Sequence, residues 1–337
     1  MAIEPEDAMR DGRPITLVVV GDSAAGKTTM IEGIKQILGA DRVTDICTDD
    51  YHRYDRAERK HVEVTPLHPD CNYLDVLELD LQRLRRCQPI LKPVYDHSNG
   101  TLTRPEYLAP KPFLLVDGLF GLHSAAIREC FDVKVFLDPP EEVRRVWKIK
   151  RDTSKRGYAV DQVLRDLDLR EPDSERFIRP QRAHADIVVR FSPPSGVRPE
   201  EANGHLNVSL VLRPTIPHPD LSELLGDADG AIRLALGRDR GAPVDFLHID
   251  GRVGSAEAAR LESAIWKHMP ETAGPRPELI GVYSDRNERR HSNPLALTQV
   301  LITYHLLRAA QAAASEGAQW GSEPTPLGRI DELARQE

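Results

Sequence analysis

Four residues at fixed spacing, Gly21, Gly26, Lys27 and Thr28, could hold a nucleotide phosphate. They fit the pattern G-x-x-x-x-G-K-[ST] within GDSAAGKT. Backbone N–H groups curl around a phosphate only where the chain turns tightly, which is why glycine stands at both ends. Asp22, Ser23, Ala24 and Ala25 fill the loop, and Thr29 follows in the first helical turn. That turn adds the positive end of a helix. Lys27 can then reach the β- and γ-phosphates, and the Thr28 hydroxyl can ligate Mg²⁺. The alternative is a glycine-rich turn with no ligand.

A phosphate loop names the donor, so the acceptor has to be read from other residues. Asp49 and Asp50 follow a short apolar stretch, with His52, Arg53, Arg56, Arg59 and Lys60 close behind. A carboxylate at Asp49 can take the proton of an attacking hydroxyl or orient it. Asp49 or Asp50 could equally hold Mg²⁺ or cap a helix. The cations after them suit a phosphorylated acceptor, or form a solvated loop. A second basic run, Lys148, Arg151, Lys155 and Arg156, recurs at helical spacing and ends at Gly157. One helix face could aim these at a transferring phosphate and close as a lid, or be an exposed helix end. His97 and His123 stand alone, and the spacing of His68, Asp70 and Cys71 fits no metal site.

These residues need elements to carry them. ITLVVV before the loop reads as a buried strand, and TMIEGIKQIL after it as a helix. Strands are expected over 42–48, 113–116, 133–137 and 186–190, with helices over 72–86, from 139 to about 151, and over 160–170. The strand FLLV runs into Asp117, as a Walker B strand runs into its carboxylate. Strands alternating with helices after a phosphate loop predict an α/β fold of the P-loop NTPase type. The sheet should be mostly parallel, with helices on both faces. SPPSGVRPEEAN reads as a linker. Beyond it, 205–213 and 244–249 read as strands, and 256–268 and 295–314 as amphipathic helices, with no catalytic signature.

The expected organisation is a leader over 1–13, a P-loop kinase domain over 14–195 and a linker over 196–204. A C-terminal α/β extension over 205–315 and a mobile tail over 316–337 complete it. The 337 residues carry a net charge of -8, which argues against nucleic-acid or membrane-surface binding. No signal peptide or membrane span is expected, and the four cysteines lack a C-x-x-C, which fits a cytoplasmic chain with reduced thiols.

Taken together, GDSAAGKT, TDDYHRYDRAERK, TPLHPDCNYLD, KPVYDHSNGTLTRPE, LVDGLFGL, FLDPPEEVRRVWKIKRDTSKRGY and REPDSERFIRPQRAHADIVV resemble the phosphoribulokinase family. The likeness runs in order over about 14–191 and is closer to the plant and cyanobacterial type than to the purple-bacterial type. It implies ATP-dependent phosphorylation of ribulose 5-phosphate at O1, with Mg²⁺, by a homo-oligomer. By the resemblance Asp49 falls on the catalytic base. His52, Arg56, Tyr95 and His97 fall on the sugar-phosphate side. Lys148, Arg151, Asp152 and Arg156 match the KxxRDxxxR segment; the first three are expected in catalysis, Arg151 also at the substrate and Arg156 at the nucleotide. Asp117 stands where the family usually has Glu, as a metal ligand with Thr28. Ala25 replaces the P-loop cysteine of the plant type, so Cys47 cannot form that regulatory disulfide. The competing readings are a uridine or other nucleoside kinase, a kinase of another phosphosugar, and a nucleotide-binding protein without catalysis.

Overall fold

The computed structural model describes residues 13–320, apart from 63, 203, 223–229, 270–279 and 286–287; the side chains of 155 and 316–320 are also left aside. Most of the expected leader and the chain beyond 320 therefore lie outside the described residues.

Strand β1 (Ile15–Gly21) is buried at every position, because both of its faces are covered. Leu17 and Val19 point into one apolar layer with α1 (Lys27–Leu38), while Val18 and Val20 point into the other. β2 (Val43–Cys47) follows, then α2 (Leu74–Arg85). Two small ribbons come next: β3 (Ile90–Lys92) pairs with β6 (Glu106–Leu108), and β4 (Tyr95–Asp96) with β5 (Thr101–Leu102). β7 (Phe113–Gly118), the single turn α3 (Ala125–Arg128) and β8 (Val133–Leu137) lead to α4 (Glu141–Arg156) and α5 (Val160–Asp173). A π-helical turn over Ser174–Ile178 precedes β9 (Ile187–Ser192). Strands β2, β7, β1, β8 and β9 are parallel neighbours in that order.

The C-terminal region continues the same sheet. β10 (Asn207–Leu212) pairs antiparallel with β9, β12 (Ala242–Ile249) with β10, and β11 (Ile232–Asp239) with β12. Helix α6 (Ser255–Lys267), the hairpin β13 (Val282–Asp285) and β14 (Glu288–His291), and the long α7 (Asn293–Trp320) complete the described residues. Buried residues of α1, α6 and α7 share one core layer with β1. α2 lies over the other face with Leu77, Leu81 and Leu84 buried.

Several elements differ from the sequence expectation, three of them in the main layers. α4 runs on to Arg156 instead of ending near Arg151, because Asp152 pairs with Lys148 and Arg156 at i,i+4 spacing along the helix. α7 continues past Ala314 to Trp320. β11 was not anticipated: it is an edge strand whose outer face is open, with Leu236 89% exposed, so its apolar pattern is diluted.

Candidate functional site

The parallel strands β1, β2 and β7 end side by side, and each hands its next residues to one crevice. β1 hands over the phosphate loop, β2 the turn Thr48–Tyr51 with Asp49, and β7 Asp117. In the loop, Gly26 has φ 96°, a conformation that side chains disfavour, and the Ala25 N–H donates to the Asp22 carbonyl at 3.1 Å. Lys27 Nζ donates to the carbonyls of Gly21 and Asp22, each at 2.9 Å, so its ammonium is folded onto the loop. Ala25 is buried, and Thr28 is exposed in the first turn of α1.

The Asp22 side chain, in the loop expected to hold the nucleotide, is engaged by the helices beneath it. It accepts a hydrogen bond from Ser174 Oγ in the π-helical turn and faces Arg144 and Arg179 at 3.9 and 3.6 Å. Arg144 also reaches the Ser23 carbonyl (3.4 Å) and clasps Glu141. This buried network fastens the phosphate loop to the base of α4 and the end of α5. Arg144, Ser174 and Arg179 were not singled out in the sequence, since single polar residues in helices carry no spacing signal.

Asp49 and Asp50 part company. Asp50 accepts from Lys92 Nζ and, at 3.0 Å, from the Tyr95 N–H, so it holds β4 in place. Asp49 Oδ1 is buried with no hydrogen-bond partner. Burial pushes the Asp49 pKa up, but His52, Lys27, His97 and Arg151 around it outweigh that, and it lies below the ordinary carboxylate value. Asp49 thus presents a buried, unpaired oxygen among basic side chains.

Asp49 lines a cavity of about 540 Å³ together with His52, Arg56, Tyr95, His97 and Ser23. Lys148, Arg151, Asp152 and Arg156 line it from α4. Both basic runs of the sequence thus meet in one space. His52 Nδ1 donates to Asn72 Oδ1 (2.7 Å), whose amide nitrogen in turn donates to the His68 carbonyl (2.9 Å). Burial lowers the His52 pKa despite the nearby Asp49. Arg56 donates to the His97 carbonyl at 2.8 Å, and Tyr95 packs edge-on against both His52 and His97, with ring centroids 5.0 Å apart in each case. Arg59 lies over the Tyr95 ring at 5.2 Å and donates to its hydroxyl. His123 packs on Phe120, outside the residues that line the cavity.

On α4, Asp152 gathers three cations: Lys148 at 2.9 Å, Arg151 at 2.8 Å and Arg156 at 3.5 Å. Burial opposes its charge, but Arg151 and Lys148 hold its pKa at about 2. Lys148 is pushed down to about 8 by burial and by Arg151, with Asp152 acting against both. Ser23 Oγ lies 3.4 Å from Lys148 Nζ and 3.5 Å from Arg151 Nη2, so the α4 cations abut the phosphate loop.

Asp117 lies level with Cys47 in the β2–β7 register. Burial raises its pKa to about 6; Lys27 opposes this, Asp49 adds to it, and a hydrogen bond from the Cys47 thiol opposes it. A buried carboxylate raised this far, near the unpaired oxygen of Asp49, suits a cation that would take up the excess charge. Hard oxygen donors such as the Asp117 carboxylate and the Thr28 hydroxyl are the kind that Mg²⁺ prefers. Among the described residues no three His, Cys, Asp or Glu side chains converge as a metal site, so phosphate oxygens and water would complete the coordination.

A second cavity, of about 260 Å³, also borders the loop and shares Arg151 with the first. Gly26, Thr29, Trp147, Phe191, Leu206 and Tyr283 line it. Trp147 and Phe191 meet at 6.0 Å, and the Trp147 ring lies against Gly26. Lys150 on α4 pairs with Asp285 on β13 at 3.3 Å, at its rim. Sequence reasoning missed these residues, because isolated aromatics in a helix and a strand read as ordinary core.

Comparison with known proteins bears on this geometry. The model of the Phosphoribulokinase / Uridine kinase family matches residues 16–197. The chain is 30% identical over 322 residues to a phosphoribulokinase of Synechocystis sp., covering 90% of this chain and 96% of that protein. It is also 30% identical to the chloroplastic phosphoribulokinase of Spinacia oleracea, over 58% of this chain and 53% of that one. A uridine kinase of Chlamydia pneumoniae is 32% identical, over 57% of this chain and 90% of its own. Among solved structures, phosphoribulokinase from Rhodobacter spheroides has a TM-score of 0.55 at 20% identity, covering 72% of this chain and 91% of that one, a likeness of fold. No described helix is long and apolar enough to cross a membrane.

Proposed function

The chain belongs to the phosphoribulokinase and uridine kinase family, whose members are phosphotransferases with an alcohol acceptor, and from that premise we propose that it transfers the γ-phosphoryl group of ATP to O1 of D-ribulose 5-phosphate. The observation that carries the acceptor is one cavity in which Asp49, with its buried unpaired oxygen, faces residues of both basic runs. A neutral nucleoside gives Arg56, Arg59, Lys148, Arg151 and Arg156 little to neutralise. A sugar phosphate beside a triphosphate gives them two anions.

In this reading Asp49 takes the O1 proton as the O1 lone pair attacks the γ-phosphorus. The bond from that phosphorus to the β-phosphate oxygen breaks, and ADP leaves with the electron pair. Lys148, Arg151 and Arg156 face the charge that spreads over the transferring group. Asp152 keeps these three cations together and so positions them. Lys27 leaves the loop carbonyls for phosphate oxygens. His52, Arg56, Tyr95 and His97 hold the 5-phosphate end. Asp117 and Thr28 would hold Mg²⁺, which, when bound with ATP, neutralises phosphate charge. Trp147, Phe191 and Tyr283 offer the flat apolar surfaces that a purine base needs.

The uridine kinase relatives keep a nucleoside acceptor as the second reading. Parallel ADP-release assays with Mg-ATP and ribulose 5-phosphate, uridine or no acceptor separate the two. Turnover with ribulose 5-phosphate alone is expected. Turnover with uridine would remove the acceptor argument and leave the ATP half intact.

A further inference from the structure

The second cavity is walled by segments far apart in sequence: Thr29 on α1, Trp147 on α4, and Tyr283 on β13. One buried side chain from yet another element ties two of them together. Gln299, in the second turn of α7, is fully buried. Its Oε1 accepts the Gly281 N–H at 2.7 Å, one residue before β13. Its Nε2 donates to the Thr29 carbonyl at 2.9 Å, in the first turn of α1. One turn further along α1, Gly33 leaves room for this amide: a Cβ at Gly33 would overlap the Gln299 amide group. Gly281 itself is wedged, since a Cβ there would come within 2.6 Å of the Ser292 carbonyl oxygen. A buried amide bonded at both ends has one low-energy position, because a shift at either end leaves a buried polar group unpaired.

On the reading that the phosphate loop and this cavity bind ATP, we propose that Gln299 is a positioning residue for the nucleotide. It holds β13, and with it Tyr283, at a fixed place relative to the first turn of α1. The wall that meets the base and the loop that meets the phosphates are thereby set by one side chain that touches neither. The C-terminal helix is then part of the ATP site, although it lies beyond the residues that the family model matches.

The test is Gln299→Met, which keeps length and volume beside Gly33 but loses the amide's donor and its strong acceptor. Its KM for Mg-ATP is expected to rise about tenfold, with kcat and the KM for ribulose 5-phosphate within about twofold, the split that separates positioning from general loosening. Calorimetric titration with Mg-ATP alone gives a readout that does not need turnover. The double variant Gly33→Ala/Gln299→Ala removes the overlap and fills the space from the other helix. It should fold and show the same loss of Mg-ATP affinity. Native Mg-ATP affinity in folded Gln299→Met, or an equal rise in both KM values, overturns the proposal. If Gln299→Met fails to fold, the double variant decides by the same criteria. No Mg-ATP binding by the unmutated protein would instead overturn the nucleotide reading itself.

Discussion

The cavity on the Asp49 flank of the phosphate loop is walled by cations around a carboxylate, whereas the cavity on the Trp147 flank is walled largely by rings and aliphatic groups. The first is built mainly from the chain after β2, the ribbon at Tyr95 and His97, and the helices α4 and α5, with Ser23 and Leu119 at its wall. The second draws on α1, α4, β9, β13 and α7. The contrast follows from what each would hold. Anions and a transferred proton need charges at set distances, and such residues are conspicuous in any sequence. A base needs a slot of the right width, and any apolar residue in the right place supplies it.

The comparison breaks most easily at Asp49. Asp49→Asn removes the only proton acceptor proposed and should lower kcat by about 10²–10⁴ or more, with Mg-ATP affinity almost unchanged. Near-normal turnover in that variant would transfer the role elsewhere. Arg56→Ala should raise the KM for the sugar phosphate by roughly 10–100-fold, the scale of a lost hydrogen bond to a charged group. An equal rise for ATP would show that the two flanks are not separable. Trp147→Ala should do the reverse and raise the KM for Mg-ATP by about tenfold, through lost apolar contact, while the sugar-phosphate KM holds.

The smallest effect sharpens the contrast through pH. Asp117 is raised from 3.8 to about 6 in the fold, so the native state holds a proton there that the unfolded chain has already lost. Its contribution therefore favours folding at low pH and is lost as pH rises through about 6, leaving a buried charge that costs stability above that point. Without Mg²⁺, Asp117→Asn should raise Tm at pH 8 by roughly 2–4 °C and flatten the melting profile between pH 4 and 6. No such change is expected from Trp147→Ala. Thermal melts across that range check both variants, and an unchanged profile in Asp117→Asn would remove the buried-charge account.

Much of the acceptor side was legible in the sequence. Gly21 to Thr28 announced a strand, a phosphate loop and a helix, and the structure has all three. Asp49 and the two basic runs could be picked out by charge and spacing, and they line one cavity. The fate of Asp50 and Asp22 could not. Both are acidic residues beside motifs, yet Lys92 claims one and Ser174 the other. Such pairings depend on neighbours 42 and 152 positions away. Strand β11 escaped notice because an exposed edge weakens the alternation that marks a strand.

By itself the sequence determined the alternation of strands and helices, the phosphate loop and the residue types able to move a proton and bind phosphate. These follow from local rules of periodicity, turn chemistry and charge. Only the tertiary structure decided that the C-terminal region extends the same sheet and that α7 reaches back to α1 through Gln299. It alone brought Trp147, Phe191 and Tyr283 to one slot beside Gly26. Apolar side chains carry no direction of their own, so where they meet is fixed by the packing of whole elements and leaves no mark in the spacing of any one segment.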